Sequence, residues 1–317
     1  MSERAFITGI LGQDGSYLNE ALLGDGIATT GSDRKSVFDG RSGECKQPFD
    51  ITNSGQVRAW IADWKPTQIY HLAALHGSSE DCTKDAADFF AGSLQVHAIG
   101  LANLLEAMQA EAPEARLVFA ASSHVFGAAI ESPQDENTPM TPISPYGISK
   151  AAGVGICAHY RNQYGIHASS AILYNHESPR RGENFVTQKI CRGAAAIAAG
   201  QSRELRLGDT SMRRDWSDAR DIVRGMWLSL QVEQPDDYIL ASGEAHTVQA
   251  VVEIAFETVG LDWEKHVVRD EQFNRSADPA RLVGDPSKAR AVLDWELKKG
   301  FRELIVEMTL TAQRALI

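Results

Sequence analysis

The sequence predicts an α/β protein: a doubly wound parallel sheet covered by helices on both faces, followed by a smaller C-terminal lobe. Three observations predict it. Short apolar runs alternate with helix-length segments through the first half of the chain. A glycine-rich turn stands between the first such run and the first helix. After about Asn175 the rhythm loosens into a polar, arginine-rich stretch.

In order, AFITGI (5–10) reads as the opening strand, then a helix from about Ser16 to Leu23, the strand IATTGSD (27–33), a helix near Gln56 to Asp63, and the strand QIYHLAA (68–74). A helix around Gly100 to Ala110, the strand RLVFAAS (116–122), a helix beginning near Tyr146 and the strand ASSAILY (168–174) continue the series. Beyond it, helices are interspersed with short strands such as ELRLGD (204–209). The expected division is 1–175 for the dinucleotide-binding domain and 176–317 mainly for the substrate lobe, some tail elements returning to the first domain.

At 317 residues the chain can bury a sizeable core, and 43% hydrophobic with 23% charged residues excludes a disordered or fibrous class. The formal charge of -11 makes nucleic acid and anionic membrane poor partners, so any bound phosphate must be met locally. The four cysteines (Cys45, Cys82, Cys157, Cys191) form no CxxC pair, so neither a metal site nor a disulfide framework is read. Met1 leads directly into a strand, and the longest later apolar stretch is too short to span a bilayer. A cytoplasmic protein without an anchor is expected.

Thr8 to Leu18 reads TGILGQDGSYL, a GxxGxxG turn at Gly9, Gly12 and Gly15. Residues lacking a side chain let the backbone turn sharply and approach a pyrophosphate, which then sits at a helix N-terminus. Ile10, Leu11, Gln13 and Asp14 share that surface. At the end of the next strand, Asp33 suits the adenosine ribose of NAD, whereas Arg34, Lys35 and Ser36 suit the 2′-phosphate of NADP. NADP is favoured and NAD stays open.

Tyr146 and Lys150 form YxxxK on one helical face, where an ammonium beside a cationic nicotinamide would lower the phenol's pKa for proton transfer. Upstream, the strand ending in Ala121, Ser122 and Ser123 brings hydroxyls to the mouth of the sheet. Ser122, Tyr146 and Lys150 suffice to exchange hydride between a sugar carbon and a nicotinamide.

These residues resemble the GDP-mannose 4,6-dehydratases. The similarity covers TGILGQDGSYL, SPYGISK (144–150), YNHESPRRGENFVTQKI (174–190), RRDWSDARD (213–221), QPDDYILASGE (234–244), and the tail around Arg275, Asp278 and GDPSKA (284–289). The resemblance implies a Rossmann domain with a small substrate lobe. It implies oxidation of the sugar at C4 by NADP, elimination of water across C5 and C6, and return of hydride to C6. It also implies His176 and Arg181 on the cofactor side, Asp50 and Ile51 near the adenine, and Leu72, Ala73 and Ala74 along the nucleotide path. Ser123, Asn175, Asn184, Lys189, Arg214 and Arg275 would meet a nucleoside diphosphate sugar, GDP-mannose or a relative.

The chain departs from that family where it carries a glutamate as the acid/base for elimination: here the residue is His124. An imidazole can move the same proton. If it does not, what remains is a GDP-sugar C4 reductase, dehydrogenase or epimerase. A non-catalytic nucleotide-binding protein is the third reading, against which the intact YxxxK argues. Gly92 replaces a cofactor-contacting tyrosine, and a shorter stretch between Arg41 and Asp50 makes a homodimer as compatible as a homotetramer.

Overall fold

The structure is a computed structural model that describes residues 3–33, 36–39, 45–46, 50–75, 86–273 and 282–316. The first half contains β1 (Arg4–Thr8), α1 (Gln13–Gly24), β2 (Ala28–Asp33), β3 (Ser36–Asp39), β4 (Cys45–Lys46), α2 (Ser54–Trp64) and β5 (Gln68–His71). Then follow α3 (Ala86–Leu94), a π-helical turn (Gln95–Ile99), α4 (Gly100–Glu111), β6 (Arg116–Ala120), a 3-10 turn (Ser123–Val125), α5 (Pro145–Tyr164) and β7 (His167–Leu173). The remainder comprises β8 (Asn175–Glu177), α6 (Val186–Ala198), β9 (Leu205–Leu207), β10 (Arg213–Asp218), α7 (Ala219–Ser229) and β11 (Asp237–Leu240). It closes with β12 (Ala245–Thr247), α8 (Val248–Thr258), β13 (Val267–Arg269), α9 (Ser287–Leu293) and α10 (Phe301–Arg314).

The main sheet runs β11-β7-β6-β5-β1-β2-β3-β4. It is parallel from β11 to β2, and β3 and β4 are added antiparallel. The order reverses between β1 and β5, the switch point at which such sheets bind ligands beyond their strand ends. This is the expected Rossmann-type doubly wound sheet; the antiparallel edge was not expected, and β11 is an element returning from the tail. A second sheet, β12-β10-β8, and the pair β13-β9 stand apart.

Alternation along the strands splits the core in two. Phe6, Ile69, Leu117 and Phe119 face α2, α4 and α5 through Val57, Ile61, Leu104, Met108 and Val154. Ala5, Ile7, Tyr70 and Val118 face α1 and α7 through Leu18, Leu22, Ile222 and Met226, with Trp295 beneath them. Full burial of such side chains contributes about 1.5–3 kcal/mol each. A third core joins α6, α8 and α10 through Ile190, Val251, Phe256 and Ile305.

The β1–α1 junction is tightly packed. Gly9 has φ +75°, and a Cβ on Gly15 would stand 2.2 Å from the Gly9 carbonyl oxygen and 2.6 Å from Ile10 Cα. Both obstacles are backbone, so a side chain here cannot be accommodated by rotamer change. Gly15→Ala is expected to cost about 1–3 kcal/mol, whereas Gly24→Ala, with nothing within 4 Å, stays neutral or gains. Urea midpoints of the two variants check this; equal midpoints would contradict the strand–helix packing described.

Candidate active site

The glycine turn delivers α1 to the sheet's carboxyl edge. Gly9 N–H donates to the Ser32 carbonyl of β2 at 2.6 Å, Gly12 N–H to the Gly9 carbonyl at 3.0 Å, and Gly12 caps α1 with no side-chain bond. The first-turn amides of α1 therefore face outward without a capping side chain over them, the arrangement that fits a pyrophosphate. Leu72, Ala73 and Ala74 lie alongside: Leu72 N–H donates to the Thr8 carbonyl, and Ala73 N–H to Thr8 Oγ1 at 3.1 Å.

Next along the edge come the ends of β5 and β6. Thr8 Oγ1 bonds His71 Nδ1 at 2.8 Å, and His71 Nε2 donates to the Val96 carbonyl at 3.1 Å. Burial, with the nearby Lys150 charge, pushes the His71 imidazole down to about 3, so it is neutral. Lys150 is itself buried, its Nζ donating to the Ala120 carbonyl at 2.6 Å and lying 4.8 Å from the Phe119 ring centroid.

Helix α5 is placed by its own sequence. Ser144 caps it by accepting from Gly147 N–H at 3.1 Å, and Pro145 sits in its first turn. A Cβ on Gly147 would come 2.5 Å from the His124 carbonyl oxygen, so glycine lets the helix start press onto the 123–125 turn. As a result Tyr146 hydrogen-bonds Ser122, which also accepts from His124 N–H at 3.3 Å. The His124 ring meets Tyr146 edge to face at 5.7 Å, and Lys150 Nζ is 5.7 Å from the Tyr146 centroid.

Electrostatically, burial is the leading influence on the pair. Burial pushes the Tyr146 phenol up to about 12, against the Ser122 hydrogen bond and the Arg181 charge, which pull it down. Burial lowers Lys150 to about 7, the Asp14 charge opposing. Desolvation is the largest influence on both groups, and what pulls the phenol down is the Ser122 hydrogen bond and the Arg181 charge.

A second cluster ties α1 to β8. His176 Nδ1 bonds the Tyr174 carbonyl at 2.7 Å and Nε2 bonds Asp14 Oδ2 at 2.9 Å. A carbonyl and a carboxylate both accept, so the ring is an imidazolium. Burial works against that charge, but the Asp14 carboxylate raises His176; burial likewise opposes Asp14, which the His176 charge and bond hold below the usual aspartate value. Gln13 Nε2 donates to the His176 carbonyl and its Oε1 accepts from Ser178 Oγ at 2.8 Å. Arg181 pairs with Glu177 at 3.3 Å and stacks over Phe185 at 3.5 Å.

Of the other residues read from the sequence, Asp33 ends β2 and Ile10 is buried beneath the turn while Leu11 is exposed. Asp50 is exposed and its carboxylate takes the Thr52 amide; Ile51 is buried against α4, its carbonyl taken by Asn103. Asn175 joins β8 to β10 opposite Trp216, Asn184 is exposed, Lys189 lies in α6, and the Arg214 guanidinium donates to the Arg213 carbonyl. Ser123 is buried in the 3-10 turn. Arg34, Lys35, Arg275 and Asp278 lie outside the described residues, and Ser36 is described only as part of β3. Thr8, His71 and His97 were missed: inside apolar strands and helices they read as core positions.

The profile of the GDP-mannose 4,6 dehydratase family matches residues 6–308. The chain belongs to the GDP-mannose 4,6-dehydratase family. Arabidopsis thaliana GDP-mannose 4,6 dehydratase 2 is 40% identical over 323 residues, covering 96% of this chain and 85% of that protein. A Sinorhizobium fredii GDP-mannose 4,6-dehydratase is 38% identical, with 96% and 95% covered. The UDP-glucose 4-epimerase of Thermus thermophilus, solved with NAD, superposes with a TM-score of 0.79 at 26% identity over 99% of this chain and 100% of its own. As a family member the chain is a dehydratase-like nucleotide-sugar enzyme.

The Asp14–His176 pair makes a pH prediction. A raised histidine contributes below its unfolded value of 6.5 and loses that contribution as pH rises through its folded value; a depressed aspartate contributes above 3.8 and loses it as pH falls through its folded value. The pair is whole between those limits. The unfolding free energy of Asp14→Asn should trail the wild type by about 1.5–3 kcal/mol at pH 5.5, narrowing steadily toward pH 9. A gap independent of pH would show that the histidine is not charged.

Proposed function

We propose that the chain converts a GDP-sugar, GDP-mannose or a close relative, by C4 oxidation, loss of water across C5 and C6, and hydride return to C6, using NADP with NAD as the alternative. The observation that supports this best is the convergence of Ser122, His124 and Lys150 on Tyr146 beside the uncapped N-terminus of α1. Bound NADP supplies the hydride acceptor at C4, the donor at C6, and the positive charge that offsets burial of the phenol.

In this reading the segment Gly9 to Gly15 and the α1 amides hold the pyrophosphate, and the His176 imidazolium and Arg181 add positive charge nearby in a chain of net charge -11. Asp33, Arg34, Lys35, Ser36, Asp50 and Ile51 take the adenosine half. Asn175, Asn184, Lys189, Arg214, Arg275 and Ser123 take the GDP-sugar. Ser122 orients the C4 oxygen while Tyr146 removes its proton and Lys150 steadies the phenolate. Once C4 is a ketone the C5 hydrogen is acidic. His124, as neutral imidazole, takes that proton and passes it to the C6 hydroxyl, which leaves as water. Tyr146 then gives its proton to C5, and the net change in the sugar is loss of one water.

The lobes divide near residue 175 in this proposal, and the protein works in the cytoplasm as a homodimer or homotetramer without nucleic acid. Among the described residues no helix is long and apolar enough to cross a membrane.

Incubation with GDP-mannose and catalytic NADP is expected to give a product lighter by one water, with no net change in cofactor absorbance. Stoichiometric cofactor reduction, or conversion at constant mass, would replace the dehydratase by a C4 dehydrogenase or an epimerase. Tyr146→Phe should lower turnover by roughly 10²–10⁴. His124→Ala should abolish loss of water yet leave single-turnover hydride transfer from C4; unimpaired dehydration in that variant would remove His124 from the mechanism.

A further inference from the structure

We propose that His97, on the π-helical turn Gln95–Ile99, is a positioning residue for Tyr146, tying the segment after β5 to the first turn of α5 through one neutral imidazole. The wiring has a fixed direction. Leu75 N–H donates to His97 Nε2 at 3.1 Å. A backbone amide can only donate, so Nε2 carries a lone pair and the ring proton is on Nδ1. Nδ1–H then meets Ser149 Oγ at 2.8 Å, and the Ser149 hydroxyl donates to the Tyr146 carbonyl at 2.8 Å. Three hydrogen bonds thus run one way, from the segment holding Leu72 to Ala74 to the residue bearing the phenol.

The ring also touches the phenol's own ring. The two rings stand perpendicular, with centroids 5.4 Å apart and planes at 89°, so His97 and His124 both pack on that side chain, and His97 is fully buried. Main chain and side chain of Tyr146 are therefore held by the same imidazole. The π turn, closed by Gly100 N–H onto the Gln95 carbonyl, interrupts two α-helices at this residue. Such turns are rare and frequently found at functional sites; here it carries the histidine that spans Leu75 and Ser149.

This inference rests on the proposed use of Tyr146 as the proton-transfer group. Its consequence is that the two ring nitrogens do different work. His97→Gln reproduces the acceptor near Nε2 and loses the donor to Ser149; His97→Asn reproduces the donor near Nδ1 and loses the acceptor for Leu75. Ser149→Ala removes the hydroxyl that both accepts from His97 and donates to Tyr146, and leaves the Leu75 contact to the ring in place. We expect His97→Gln and Ser149→Ala to lower kcat by about 10- to 100-fold with KM for the sugar nucleotide within about threefold, since small misplacement of a reacting group has that effect. His97→Asn should restore most of kcat.

The same variants are compared by ¹³C NMR of protein labelled at tyrosine Cζ, with the Tyr146 resonance assigned from Tyr146→Phe. That resonance should move in His97→Gln and Ser149→Ala and return toward wild type in His97→Asn. Equal loss of kcat in all three variants in proportion to lowered Tm, with an unmoved Tyr146 resonance, would overturn the inference and leave His97 a packing residue. If the wild-type protein transfers no hydride with GDP-mannose, the proposed reaction fails, while the resonance still decides whether His97 sets the phenol.

Discussion

The strands of a parallel sheet must stop somewhere, and at the carboxyl edge of this one the last backbone groups of β1, β5 and β6 stop inside the protein. Each needs a partner there, since an unsatisfied buried amide or carbonyl costs roughly 1–3 kcal/mol. The partners supplied are side chains of the candidate site. Lys150 takes the Ala120 carbonyl, Thr8 takes the Ala73 amide, and His97 takes the Leu75 amide. Finishing the sheet and assembling the site are thus one operation, which explains why a lysine can stand fully buried beside an aromatic ring.

Given that edge, the remaining geometry follows with little freedom. The glycine turn brings α1 close because its contacts are backbone against backbone, and α5 lands on the 123–125 turn for the same reason at Gly147. The Asp14–His176 ion pair then joins the first helix to β8, so the second sheet is oriented by a residue of the cofactor turn. The chain is net-negative, but the charged His176 stands against the first turn of α1 and Arg181 just beyond β8.

The sequence disclosed those parts whose chemistry needs a fixed residue type at fixed spacing: the glycines, YxxxK, and the strand-end serines. It disclosed less where tertiary context decides. Helix α1 begins at Gln13 rather than Ser16 because Gly12 caps it without a side chain, leaving no capping residue to read. The helix expected from Gly100 is preceded by α3 and the π turn, whose onset has no periodic signal distinct from the helices it joins. His71 and His97 sit in apolar runs, and only the fold reveals that their partners are backbone groups of neighbouring segments. For the Tyr146–Lys150 pair, spacing gives the ammonium's proximity but not the burial that desolvates both groups.

Strand β11 illustrates a different consequence. It occupies the outer edge of the main sheet beside β7, with Tyr238 and Ile239 buried, yet it lies more than sixty residues beyond the strand it completes. Until it docks, β7 presents an open row of amides and carbonyls next to an apolar layer, a surface prone to pairing with another chain. During synthesis on the ribosome, therefore, the main sheet is not finished when β7 emerges. It is completed only after the segment from β8 to α7 has followed and β11 has emerged.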